Sequence, residues 1–318
     1  MEVGYDKVKI WIDRAIVGDN HPTIANYLDR AKQETDLQTG EVKTKGCIEG
    51  LKVSVFASGL YIVGSWPKFI FGSNVYPLDR HTAAQAIEKI SDTLHIQAKE
   101  GVVTSLEFGA NYLMKKPVPD YLLRLGSMQR LQRVQLSPNS IRYEGKGKKN
   151  PKPRVFAFYD KLAETAANGM ECPNGLENLL RFEIRLNGRL PYQLSVPEIK
   201  ASTLTDMQFY RMMVEFYINS YFSIPKLNQI KTDDMSDIIK NVTDGVDVYF
   251  ARKLCQGGLD DLGEYINELK KAGVFSDRKY YSRVKSKILE IATKANITIS
   301  DELIKELDDE VKNSGAYV

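Results

Sequence analysis

The segment "LLRFEIRL" (179–186) changes character at every residue: Leu180, Phe182, Ile184 and Leu186 fall on one side, Arg181, Glu183 and Arg185 on the other. That period of two belongs to a strand with one face in a core and one face outside it; a helix would scatter the same residues around its circumference. The alternation recurs in "KVKIWID" (7–13), "TSLEFGANY" (104–112) and "RVFAFYDK" (154–161). Four such segments predict an α+β fold built on an antiparallel sheet, because parallel strands buried on both faces read as continuous apolar runs.

The intervening segments fill in the order. The stretch 19–45 is polar and predicts a short helix around 24–33 followed by a loop. "GLKVSVFASGLYIVGSWPKFIFGSN" (50–74) holds three β-branched and aromatic runs parted by "ASG" and "SWP", the pattern of a meander. "DRHTAAQAIEKISDTLHI" (79–96) predicts a helix opened by Thr82 with Gln85 three residues on. A helix in "VPDYLLRLGSMQRLQ" (118–132), a hairpin from "SIRYE" to "RVFAFYD", and a helix in "STLTDMQFYRMMVEFYINSYF" (202–222) complete the series. Read together, these make two similar α+β halves with packed helices. Strand signals fade after Pro225 and helical ones take over, so the sequence divides into a catalytic part, 1–228, and a smaller C-terminal helical part, 229–318, whose two helices have a spacing that could read duplex DNA.

Composition narrows the class. Among 318 residues, 44 Lys and Arg against 41 Asp and Glu leave a net charge of +3, so overall charge selects no partner. The charges are unevenly placed: nine Lys or Arg lie between Arg124 and Arg154, with Glu144 the acid inside that stretch. Three distant cysteines, Cys47, Cys172 and Cys255, fit neither a disulfide framework nor a zinc site. No apolar run is long enough to cross a bilayer, and the first residues lack a signal-peptide layout, so the expected location is cytoplasmic with no membrane partner.

Strand phase selects the candidate chemistry. Glu107 and Glu183 fall on the polar faces of their strands, as does Tyr159, with Lys161 two residues beyond it. On adjacent strands the two glutamates would offer hard oxygen ligands to Mg²⁺ or Mn²⁺, and His21, His81 and His95 show no ligand spacing that would compete. Such an ion polarises a phosphodiester for attack by the Tyr159 oxygen. A phenol with a pKa of about 10 needs help to ionise, and Lys161 is the candidate helper. Asp160 and Asp13 remain open as a third ligand. The loop "GKGKKNPKP" and its flanks supply Arg142, Lys146, Lys148, Lys149, Lys152 and Arg154 for a DNA backbone, joined by Arg181 and Arg185 beside Glu183.

In the order "YDKVKIWID", "VVTSLEFGANY", "FAFYDKLAE" and "LLRFEIRLNGRLPYQL", the chain resembles the rolling-circle replication initiators of filamentous bacteriophages, the gene II replication protein family, and more loosely the plasmid initiators that lack a paired-histidine motif. The likeness covers about residues 5–225. It implies an enzyme that nicks one strand at a replication origin, holds the 5′ phosphate on Tyr159 and rejoins the ends, with Lys161 beside the nucleophile and Glu107 and Glu183 at the metal. The family carries Asp where this chain has Glu107. A host helicase is an implied partner, and Tyr112, Tyr143 and Tyr192 stand open as a second, terminating tyrosine. A mobilisation relaxase or transposase would use the same chemistry on other DNA; a replication or repressor protein that only binds DNA would use none of it.

Overall fold

A computed structural model describes residues 2–128, 130–147, 151–169, 175–226, 229–230, 242–292, 298–299 and 301–315. Ten strands form one sheet: β1 (Gly4–Asp13), β2 (Asp29–Thr35), β3 (Val42–Ile48), β4 (Leu51–Phe56), β5 (Gly59–Ser65), β6 (Val102–Leu113), β7 (Leu131–Ser137), β8 (Ser140–Gly145), β9 (Arg154–Asp160) and β10 (Leu179–Asn187). Their spatial order is β2-β3-β4-β5-β1-β6-β10-β9-β8-β7, and each neighbouring pair is antiparallel. That order reads the same outward from the central β1–β6 pair in both directions. Each half has a first strand, a four-stranded meander whose last strand returns beside the first, and then a long helix: α3 (Arg80–Leu94) in one half, α7 (Met207–Phe222) in the other. The fold is therefore α+β with two halves of one topology.

Helices cover one face of this sheet. Ile10, Ile12, Val53 and Ile62 of the sheet and Ala83, Ile87 and Ile90 of α3 belong to one continuous core with Phe108, Phe182 and Ile184 of the sheet and Met213, Tyr217 and Tyr221 of α7. Phe158 and Phe182 stack with ring centroids 4.2 Å apart, and Tyr217 lies 4.5 Å from Phe182. Burial of these large rings contributes apolar stabilisation between sheet and helix.

Several local expectations change. The stretch around 24–33 is a 3₁₀ segment (Gly18–Tyr27) leading into β2, which pairs with β3 where a loop is predicted. "WPKFIF" is helix α2 (Trp66–Phe71) rather than a third strand, since Pro67 suits a first helical turn and the Ser65 hydroxyl caps Lys68 N. Asp79, not Thr82, caps α3, accepting from Thr82 N at 2.7 Å. After a single turn, α4 (Val118–Leu122), the chain becomes β7 instead of remaining helical. The short helices α1 (Arg14–Val17), α5 (Lys161–Ala167) and α6 (Leu190–Leu194) follow β1, β9 and β10.

The C-terminal part is not one piece. Helices α8 (Val242–Lys271) and α9 (Arg278–Ala292) close around a small core of their own, Leu262, Ile266 and Tyr281. The last helix, α10 (Glu302–Asn313), instead sends Ile304, Leu307 and Val311 into the main core. Tyr221 donates to Asp308, Tyr121 to Glu306, and Arg124 to Asp301, all at 2.7 Å. Strands β11 (Gln229–Ile230) and β12 (Thr298–Ile299) pair where the chain leaves for the helical pair and where it comes back. The unit carrying the sheet thus includes 301–315, and the helical pair is inserted before it. Truncating the fully buried Leu307 to Ala is expected to cost about 2–5 kcal/mol in the main urea-unfolding transition. An unchanged midpoint would mean that α10 is not docked.

Candidate active site

The face opposite the helices carries the polar residues of the alternation. Strand register brings them together: Arg181 of β10 stands opposite Tyr159 of β9 and Asn111 of β6, and Arg185 stands opposite Glu107. Glu183 faces Gly109, where a side chain would collide with Phe182 O at 2.6 Å and Glu183 Cβ at 2.7 Å. The glycine leaves the space that the glutamate and its partners fill.

A third carboxylate joins from β1. The β1–β6 register slips between Tyr5 and Val8, so Asp6 and Lys7 together oppose Glu107 across a β-bulge. Asp6, Glu107 and Glu183 each offer a carboxylate oxygen, and these oxygens lie within 4.8 Å of one another. The two ligands left open by sequence are helix caps elsewhere: Asp160 accepts from Leu162 N and Ala163 N at the start of α5, and Asp13 accepts from Ala15 N at the start of α1.

Arginines hold this cluster. Arg181 is fully buried and divides its guanidinium among Glu183 (Nε to Oε2, 2.6 Å), Asp6 (Nη2) and Asn111 (Nη1 to Oδ1, 3.2 Å). Arg185 donates to Glu183 Oε1 from Nε at 2.6 Å and lies 3.8 Å from Glu107. Ser65 and Asn74 donate to the two oxygens of Asp6 at 2.6 and 3.2 Å, and Asn111 donates to the Val75 carbonyl, so residues 72–78 close one edge. Arg181 is fully enclosed by these carboxylates, so the expectation that it grips a DNA backbone gives way to a role inside the cluster, whereas Arg185 pairs with Glu183 and stays part-exposed.

Tyr159 is half-buried, and its hydroxyl donates to Glu183 Oε2 at 3.1 Å. Burial and the Glu183 carboxylate raise the phenol well above its ordinary pKa, while Arg181 and Arg185 pull it down. Lys161 does not enter this balance. Alternation ends where α5 begins, and the Lys161 amine is paired with Glu164 at 2.8 Å. The cations that face the phenol are Arg181 and Arg185 instead.

Two guanidinium groups against three carboxylates leave an imbalance, and it falls on Glu107. Burial and the neighbouring Glu183 push Glu107 up to about 7, with Arg185 and Lys7 opposing. Burial would also raise Glu183, but the charges and hydrogen bonds of Arg181 and Arg185 hold it at about 2. A hard, all-oxygen donor set fits a divalent ion such as Mg²⁺ or Mn²⁺, with Glu107 the ligand least occupied by protein donors.

The other predicted residues spread around this centre. Arg142 pairs with Glu144 at 2.8 Å; Lys152 donates to the Gly145 carbonyl at 3.1 Å; Arg154 donates to Gln193 O at 3.2 Å and lies 5.1 Å from the Phe216 ring. These three are turned largely to internal partners. Lys146 is exposed, and Lys148 and Lys149 lie outside the described residues. Tyr112 bonds to Tyr217 at 2.9 Å and Tyr143 to Gly126 O at 2.8 Å, both buried, whereas Tyr192 is 85% exposed beyond the far end of β10 from Arg181. Sequence reasoning missed Asp6, because strict alternation assigns it to the face of Val8 and Ile10.

No family model matches the chain, and no curated protein matches it in sequence. Among solved structures it is similar to a rolling-circle replication initiator protein from Geobacillus stearothermophilus, with a TM-score of 0.42 and 9% identity over 74% of this chain and 89% of that one. At that distance the likeness carries no argument about activity. Among the described residues no helix is long and apolar enough to cross a membrane.

Two outcomes follow from the charge balance. Glu107 keeps its proton to about pH 7 when folded but loses it near the ordinary 4.5 when unfolded, so its stabilising contribution is present in acid and lost as pH rises through that window. Without divalent ions, urea stability should fall between about pH 5 and about pH 7.5, and Glu107→Gln should flatten that fall. Glu183→Gln leaves Arg181 short of a buried partner and should cost about 3–5 kcal/mol in the same assay.

Proposed function

We propose that the chain is a DNA strand transferase that initiates rolling-circle replication by nicking one strand at an origin and later rejoining it. The observation that carries this reading is the Tyr159 hydroxyl bonded to Glu183 within a cluster of three carboxylates whose oxygens lie within 4.8 Å of each other. A phenol, two guanidinium groups and hard oxygen ligands are the parts needed to move a phosphodiester onto tyrosine.

In this reaction the Tyr159 oxygen bonds to phosphorus, the bond from phosphorus to the 3′ oxygen breaks, and the phenolic proton ends on the freed 3′-hydroxyl. The 5′ phosphate stays on the protein as a phosphotyrosine, which conserves the bond energy for resealing. Glu183 orients the phenol through the hydrogen bond it already accepts. Arg181 and Arg185 favour the phenolate as the proton leaves. Asp6, Glu107 and Glu183 would hold the divalent ion, which supplies charge neutralisation at the phosphate when bound. A mobilisation relaxase or transposase would use the same parts on different DNA, and the helicase partner implied by the phage likeness would act after the nick.

One observation favours a second reading. Both oxygens of Glu183 and one of Asp6 are already bonded to arginine, which is also what a structural ion network in a non-cleaving DNA-binding protein would show. Incubation of supercoiled origin DNA with protein and Mg²⁺ or Mn²⁺ separates the two. The nicking reading expects an open circle and a protein–DNA adduct that survives denaturation; Tyr159→Phe abolishes both while DNA affinity stays within about twofold, and Lys161→Gln retains nicking. DNA shifted without any adduct would establish the binder.

A further inference from the structure

Beyond the carboxylate cluster along β1 and across β5 and β4, the face turned away from the helices carries aromatic rings and lysines. Trp11 of β1 stands directly opposite Tyr61 of β5, with ring centroids 4.6 Å apart, and Phe56 at the end of β4 lies 6.2 and 6.1 Å from those two rings. All three rings remain half-buried, whereas Leu60 and Ile62, on the opposite face of the same strand, are fully buried. Gly59 makes the arrangement possible. Its backbone sits at φ +152°, and a Cβ there would meet the Trp11 ring at 2.7 Å, so only glycine lets the indole lie across that strand end.

Cations border the rings. The Lys9 amine lies 3.9 Å from the centroid of Tyr61, a cation–π contact that a stacking base would displace, freeing the amine for a phosphate. Lys7 and Lys52 are exposed on the same face, next to Lys9 along β1 and opposite Val63 on β4. Lys43 and Lys45 on β3 share Glu34 between them, leaving one charge of the three uncancelled. An apolar protein partner would not suit this lysine fringe, whereas a polyanion with flat apolar bases suits both parts at once.

We propose that this face is a stacking platform for unpaired bases: a single strand of DNA lies across Trp11, Tyr61 and Phe56 with its phosphates on Lys7, Lys9 and Lys52. Duplex DNA cannot use it, since paired bases do not offer their faces. Lys7 belongs to the bulge that also carries Asp6, so a strand leaving the platform along β1 arrives at the carboxylate cluster. The inference takes its ligand class from the strand-transferase reading and adds the form in which the DNA is held.

The chain has two tryptophans, and the other, Trp66, is fully buried, so quenching of indole emission reports on Trp11. Titrating the full-length chain with a short oligothymidylate should quench that emission, and Trp11→Phe should bind with the quench removed. Loss of one stacking ring in Trp11→Ala or Tyr61→Ala should weaken single-strand affinity about 5- to 100-fold with duplex affinity unchanged. Lys9→Gln should lower the salt slope of binding by about one. Cys47, half-buried opposite Lys52, should be protected from alkylation by the same oligonucleotide in the wild-type protein, a readout that needs no variant to fold. Undiminished emission, an unprotected Cys47, or equal quenching by blunt duplex would overturn the proposal. Adduct formation at Tyr159 is scored separately: an adduct without quenching removes the platform alone, and quenching without an adduct removes the nicking reading alone.

Discussion

A fully buried arginine is tolerable only with its charge and its donors satisfied, and Arg181 obtains both by reaching across the sheet. It leaves β10, crosses above β6 and ends on Asp6 of β1, so one guanidinium ties together the strands at which the two halves meet. At Gly109, the partner of Glu183 on β6, no side chain blocks the space above the strand. The same guanidinium sets the acidities around it. It keeps Glu183 ionised, leaves Glu107 to carry the unmatched carboxylate, and gives the Tyr159 oxygen an adjacent positive charge. Packing, titration and candidate chemistry thus share one cause.

Legibility in the sequence followed periodicity. Where alternation was long and unbroken, as in 179–186 and 104–112, the assignment of Arg181, Glu183, Arg185 and Glu107 to one face agrees with the observed register. Alternation could not reveal that this face is closed, because closure comes from residues 72–78, far away in sequence. It failed at two irregularities. A bulge turned Asp6 toward Glu107, and the start of α5 ended the alternation at Lys161, whose amine pairs with Glu164. Strand β2 was illegible for a different reason: every one of its residues is exposed, so no apolar period marks it.

The two halves use one topology for different surfaces. In one, the outer face is drawn shut by ion pairs around Arg181; in the other, aromatic rings and lysines leave it half open. No sequence repeat connects them, which is consistent with inner faces that need only apolar residues of suitable volume. Outer faces carry no such shared requirement, and there the halves differ most.

The neck formed by β11 and β12 gives the helical pair an unusual standing. Its two ends meet the main body side by side, since Leu125 bridges to Lys226 while Arg124 holds Asp301. A stretch of chain that departs and re-enters at a single point can be lengthened, shortened or exchanged as a cassette without disturbing any strand register. Selection can therefore rework whatever α8 and α9 touch at a different tempo from the reacting groups.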